Sequence, residues 1–291
     1  MRVRGWIRAA LVVSAVVGPA LRAQEPAGPD LRVSQDTTIV DEVTLRDGTT
    51  LIGWIVRIVG DSVTIRTHRG LELMVLRREV VSVRRLRGAV RQGQVWPDDA
   101  SDSRLFLGPT ARVPENGGGY FGLYELIFAS GAVGLGGQAM VSGGVSLVPG
   151  VALDEQVFYI APKVRLVNLP TLQVAAGGFW IKPGSSDDGA GLIFGTLTGG
   201  SRDAAITVTA GFPFVTQGGF EEQPLVMVGG ELRIARDLKF ISENWILPGE
   251  DVSLVSAGLR IITRSLTVEV GAVTSTDGGG FLPIVSFSVV W

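Results

Sequence analysis

From Ser103 to Trp291 apolar and polar residues change places at nearly every step, and this period of two constrains the chain more than any other feature. Phe281, Pro283, Val285, Phe287, Val289 and Trp291 share one face of the last segment, with Ser286 and Ser288 on the other. An α-helix, with its period of 3.6, cannot hold such a face together; a β-strand does so by geometry. The pattern therefore predicts a succession of strands with one apolar side each.

Composition narrows the choice. Hydrophobic residues make up 46% of the 291 and charged residues only 19%, yet beyond the N-terminus no apolar run approaches the roughly 18 residues of a membrane-spanning helix. Forty glycines suit turns and strands, since each glycine inside a helix costs about 1 kcal/mol relative to alanine. The net charge of -2 points to no particular partner. With no cysteine and one histidine, His68, the chain lacks a disulfide framework, a thiolate nucleophile and any cysteine-containing zinc site. His68 falls in an expected surface turn, no G-x-S-x-G is present, and no helix follows Gly134-Leu135-Gly136-Gly137 to receive a phosphate. No enzymatic activity, cofactor or metal site is expected.

Residues 1–23 read as a secretory signal, with Arg2 and Arg4 ahead of an apolar core from Ala9 to Val17 and a small residue, Ala20 or Ala23, before cleavage. Residues 24–38 lack periodicity and are expected as a flexible lead-in. Over residues 39–87 the style changes: five short strands are punctuated by Asp47-Gly48, Gly60-Asp61 and His68-Arg69-Gly70. This stretch resembles SH3-like and Sm-like domains, which implies a small bent barrel and no particular activity. Its second half is basic. Arg77, Arg78, Arg84, Arg85 and Arg87 are candidates for binding an anionic envelope polymer or protein, the plainer alternative being that they solvate the polar faces of strands. Nucleic acid is not an expected partner of an exported chain. Residues 88–102 are expected as a linker.

Residues 103–291 divide into about twelve alternating segments, the first at 104–113, the second at 120–130 and the last at 281–291. Two, at 189–199 and 238–247, alternate poorly. Parity then assigns the loops. With residue 291 at one end, residues 114–119, 149–155, 183–188, 216–223, 248–251 and 276–280 lie at the far end, and the turns near 136, 168–170, 201–203, 236–237 and 263–265 lie at the near end. The far set is longer on the whole. In this arrangement the last segment pairs with 104–113 to close a barrel.

A soluble sandwich or lipocalin-like barrel shows the same alternation with its apolar faces turned inward. The continuous apolar faces, the charges opposite them and the aromatic last strand instead resemble bacterial outer-membrane β-barrel proteins, whose strands turn apolar residues to lipid and polar ones to the lumen. The resemblance implies an all-β protein in the outer membrane: a twelve-stranded antiparallel barrel behind a small periplasmic SH3-like domain. Lipid and the barrel assembly machinery are the implied partners, the latter meeting Phe281, Val285, Phe287, Val289 and Trp291. The lumen is expected to be lined by Arg104, Arg112, Glu125, Lys163, Arg165, Glu231, Arg233, Arg260 and Glu269. Such a lining suits a narrow pore for small solutes. The alternative is a set of mutually neutralising ion pairs that closes the lumen, leaving a membrane anchor that displays the small domain. No loop is long enough to be expected as a plug. The far-end loops are rich in Asp and Glu, which predicts a solvated rim and no specific metal site.

Overall fold

The computed structural model describes residues 29, 31–182, 184, 186, 188–247 and 253–291. The expected secretory signal, the whole far-end loop at 248–251 and parts of the lead-in and of loop 183–188 lie outside these. Among the described residues there is no α-helix.

The first unit is a curled antiparallel sheet of six strands: β1 (Ile39–Leu45), β2 (Thr50–Val59), β3 (Ser62–Thr67), β4 (Glu72–Leu76), β5 (Val80–Arg91) and β6 (Gln94–Pro97), in the order β4-β3-β2-β1-β5-β6. Gly48, Gly60 and Gly70 take left-handed backbone at its turns, where a Cβ is disfavoured. Val43, Ile55, Val63, Ile65 and Val80 are buried together as its core. A sixth strand replaces part of the expected linker. The alternation simply runs on past Leu86, and the chain turns at Gln92-Gly93 to return as β6.

The second unit is a closed antiparallel barrel of twelve strands. They are β7 (Gly119–Tyr124), β8 (Phe128–Leu135), β9 (Ala139–Ser146), β10 (Phe158–Asn168), β11 (Leu172–Lys182), β12 (Ala190–Gly200) and β13 (Ala204–Val215), then β15 (Leu225–Ala235), β16 (Leu238–Ile246), β17 (Ser253–Ile262), β18 (Leu266–Ser275) and β19 (Phe281–Val290). The two-residue β14 (Gly219–Phe220) only extends β13. Closure is made by β19 on β7, from Ser286 opposite Tyr124 to Val290 opposite Tyr120.

The number twelve agrees with the sequence; the membership does not. Residues 104–113 are not a wall strand, so the expected pairing of that segment with the last strand is replaced by β7 with β19. Residues 120–130 are not one strand but two, broken at Glu125-Leu126, where both residues take left-handed backbone (φ +50° and +63°). That turn has the geometry of a tight hairpin without the Asn or Gly that normally marks one, and so it leaves no sequence signal. One strand lost and one gained restored the count.

The loops fall as parity requires with one exception. Residues 136–138, 169–171, 201–203, 236–237 and 263–265 turn at the end where Trp291 lies, and the longer connections turn at the other. Residues 114–119, expected among the far loops, sit beside Trp291: its indole Nε1 donates to the Gly117 carbonyl at 2.9 Å, and its backbone pairs with Gly119.

The two faces of the wall are chemically opposite. Outward side chains such as Phe121, Leu166, Ile206, Phe212, Ile234, Val270 and Val289 are apolar and exposed. Inward ones such as Thr196, Thr198, Thr207, Thr209, Glu231, Lys239, Arg260, Glu269 and Ser286 are polar and buried. A soluble barrel has these the other way round.

Candidate functional site

The lumen is filled by the chain's own residues 98–113. Ser101, Leu105, Thr110 and Ala111 are completely buried there, and Phe106 is 2% exposed. The alternation of Leu105, Leu107, Pro109, Ala111 and Val113 suggested a strand, but Pro109 cannot donate to a sheet ladder. The barrel supplies the partners instead. Pro109 offers its carbonyl to the Thr196 and Thr209 hydroxyls at 3.2 and 3.1 Å, and Ala111 donates its N–H to Thr198 at 2.8 Å. The sequence offered no loop long enough for a plug, and the plug is indeed not a loop between strands but the stretch ahead of the first one.

Electrostatics hold the insert in register. Five cations (Arg104, Arg112, Lys163, Lys239, Arg260) and five anions (Asp99, Asp102, Glu231, Glu243, Glu269) are buried in the lumen. Asp99 of the insert meets both Lys239 and Arg260 of the wall at 2.9 Å. Arg104 of the insert meets Glu269 at 2.8 Å, and Arg112 pairs with Glu231. The wall also pairs with itself, Lys239 with Glu231 at 2.9 Å and Arg260 with Glu269 at 2.6 Å. Two wall groups hold backbone instead of charge. Lys163 donates to the carbonyls of Ser103 and Thr110 at 2.8 and 2.7 Å, and Glu243 accepts the consecutive N–H groups of Phe106, Leu107 and Gly108 at 2.8, 3.0 and 2.9 Å. Three N–H groups converging on one carboxylate form an anion nest. Between these contacts a small apolar core forms: Leu105 and Phe106 bury themselves against Met227 and Ile241, with Trp245 and Ile284 at its edge.

That core explains why β16 alternated poorly. In β16 the inward face carries Lys239, Ile241, Glu243 and Trp245, mixing charge with the apolar contacts the insert needs, while Ser242 and Asn244 on the outer face bond to backbone carbonyls of neighbouring strands. In β12 the buried, inward residues include the apolar Leu192 and Phe194 beside Thr196 and Thr198, whereas Ile193 and Leu197 are exposed outward, so both faces carry apolar residues.

The sequence-derived lining residues are distributed as follows. Arg104 and Arg112 are in the lumen but come from the insert. Lys163, Glu231, Arg260 and Glu269 project inward from the wall. Arg165 and Arg233 stand at the short-turn mouth, donating to the carbonyl of Gly137 and to those of Pro97 and Arg236 respectively. Glu125 does not line the lumen: it sits exposed in the β7–β8 turn and receives the Val285 N–H at 3.1 Å. The departure follows from the unmarked turn. Asp99, Asp102, Lys239 and Glu243 were not singled out, the first two because they fell in an assumed linker, the others because their strand's alternation looked mixed.

The arginines of the small unit are divided. Arg77, Arg78 and Arg84 are exposed. Arg85 lies 3.4 Å from the buried Asp41, and Arg87 pairs with Glu115, just past the insert. The small unit sits on the short turns: Arg91 pairs with Asp203 and Arg264 with Glu42, while Arg202 of a short turn meets Asp98, where the insert begins, at 2.9 Å. Partial burial raises the Asp203 carboxyl, but its hydrogen bond and charge contact with Arg91, aided by Arg233, hold it below the usual carboxylate range.

No protein-family profile matches the chain, and no curated protein matches it. Two solved structures of the KdgM porin, one in complex with disordered oligogalacturonate, share its general shape. They superpose with TM-scores of 0.46 and 0.45 at 7% and 8% identity, over 59% of this chain and 96% of theirs.

Proposed function

We propose that the chain is an integral outer-membrane β-barrel that provides a porin-like passage for small solutes, closed in the described state by its own residues 98–113. The outward apolar face supports placement in a membrane, because without lipid it would stand in water. The short-turn end, which carries the small unit, then faces the periplasm. The outward residues of β19, namely Phe281, Val285, Phe287 and Val289, together with Trp291 beside it, are the surface offered to the barrel assembly machinery. Arg77, Arg78 and Arg84 remain available to an anionic envelope partner.

A removable plug is carried by one observation. Every wall charge that pairs with the insert, apart from Glu243 and Lys163 on its backbone, already has a wall partner: Lys239–Glu231 and Arg260–Glu269 stay intact if the insert leaves. The wall's buried charges balance among themselves, three against three, and so do the insert's, two against two. Buried ion pairs roughly break even against desolvation, so exchanging them for water in an opened lumen is not prohibitive. An insert held by apolar packing alone would have no such route out.

The test is planar-bilayer conductance of the full chain beside a double variant, Asp99→Asn with Arg112→Gln, which removes the ion pairs the insert makes through those two residues and leaves the wall pairs. Ohmic current in the variant and rare openings in the parent are expected. A variant that keeps heat-modifiable migration and stays silent would overturn the reading.

A further inference from the structure

Above the insert, toward the longer loops, the lumen changes chemistry. Inward positions there are Phe179 on β11, Leu192 on β12, Pro213 on β13, Trp245 on β16, Leu254 on β17 and Ile284 on β19. Cross-strand register puts them on one face in sequence around the wall: Phe179 opposite Leu192, Leu192 opposite Pro213, and Trp245 opposite Leu254. All but Leu192 are only half-buried, although they point inward. The floor of this vestibule is the tip of the insert. Gly108 lies so close to Trp245 that a Cβ there would stand 3.2 Å from its ring, and the next residue back, Leu107, is 75% exposed. Glu243 fixes that tip from below through its three backbone bonds, so the nearest inward carboxylate is already committed.

A barrel that passes ions or sugars lines its mouth with polar groups. Here the deep lumen is polar and the vestibule is apolar. We infer that the vestibule is a binding site for an uncharged, largely apolar small molecule, captured on the far side of the plug. The ring has the makeup of a small-molecule site, apolar walls with a few polar groups placed among them. The Tyr159 ring lies against Phe179, and its hydroxyl is bonded to Ser130. The inference deepens the passage reading by naming the class of solute, and it rests on the barrel standing in a membrane.

The experiment uses the full chain in phospholipid nanodiscs and a photoreactive alkyl diazirine with a terminal alkyne, mapped by peptide mass spectrometry. Lipid-facing residues label in proportion to probe in the bilayer. Saturable labelling of peptides at Phe179, Trp245 and Leu254 is expected as well. It should fall about tenfold or more in Leu254→Glu and in Leu192→Glu, the labelling of outward residues remaining as the control for folding. Labelling confined to outward residues at every probe concentration, or inward labelling indifferent to both variants, would overturn the site. Current without inward labelling removes this inference alone; inward labelling in a barrel that never conducts removes the passage alone.

Discussion

Glu243, on wall strand β16, accepts the backbone N–H of Phe106 at 2.8 Å, and this bond ties the tip of the insert to the barrel wall. The same oxygen takes the N–H groups of Leu107 and Gly108, while the other takes the Trp245 indole at 2.7 Å. Hydrogen bonds to a charged acceptor contribute about 1.5–3 kcal/mol each. Glu243→Ala leaves all three backbone donors without that acceptor, whereas Glu243→Gln keeps a neutral one. Single-channel recording should show more frequent opening in both, and more in the alanine variant. Equal, parental gating in the two would mean that the nest does not hold the insert.

Arg260 and Asp99 separate the stability of the wall from that of the plug. Arg260 bridges Asp99 of the insert and Glu269 of the wall, so Arg260→Met takes from each of two buried carboxylates one of its two cations, leaving Lys239 on Asp99 and Arg104 on Glu269; a broken buried pair costs about 3–5 kcal/mol. The temperature at which the folded band converts on gels should drop clearly. Asp99→Asn leaves both wall pairs in place and should move that temperature less while raising current. The reverse order would place Asp99 in the barrel's own framework.

Asp203 gives the junction between the two units a pH dependence. Its carboxyl is lowered in the folded chain by Arg91 and Arg233. A lowered pKa means that the contact's contribution is complete above the unfolded value of about 3.9 and is lost only as pH falls through the lower folded one. Cross-linking between the small unit and the short turns should therefore be unchanged from neutral pH down to the unfolded carboxylate value of about 3.9 and decline only below it. The decline should be absent in Asp203→Asn, which starts from the weakened state. A decline already complete by the ordinary carboxylate value would contradict the assignment to Asp203.

The antiparallel barrel and the sorting of loops by length were legible because each depends on period and parity, which a single chain displays; the count of twelve agreed because a strand wrongly assigned at 104–113 and a strand missed within 120–130 cancel. What the sequence hid depends on contacts between distant segments. Residues 104–113 alternate like a strand, and only the threonines of β12 and β13 and the carboxylate of Glu243 decide that they fold into the lumen. The stretch 189–199 alternated poorly because Leu192 and Phe194 are apolar on the inward face while Ile193 and Leu197 are apolar on the outward one. Glu125 looked like a lining residue because the hairpin beside it has no glycine. Arg260 and Glu269 were recognisable as inward charges, but nothing local indicated that Asp99, in an acidic stretch next to Pro97, was the second anion on Arg260.

The assignment of faces can be tested within one strand. Val270 on β18 is outward and 53% exposed, whereas Val273, an odd number of residues later, points into the half-buried vestibule opposite Leu282. Ser288 is a poor inward control because its hydroxyl lies where a Cβ on Gly122 would be, at 2.5 Å, and leaves no room for a larger side chain. A lysine on the lipid face costs about 2–4 kcal/mol at the midplane of a bilayer and little where water reaches it. Val270→Lys should therefore reduce the fraction of chain recovered as folded, heat-modifiable barrel, and Val273→Lys should leave it near parental while diminishing probe capture in the vestibule. If Val273→Lys is the more damaging to assembly, the apolar ring is a structural layer of the barrel and the outward face is not the one in contact with lipid.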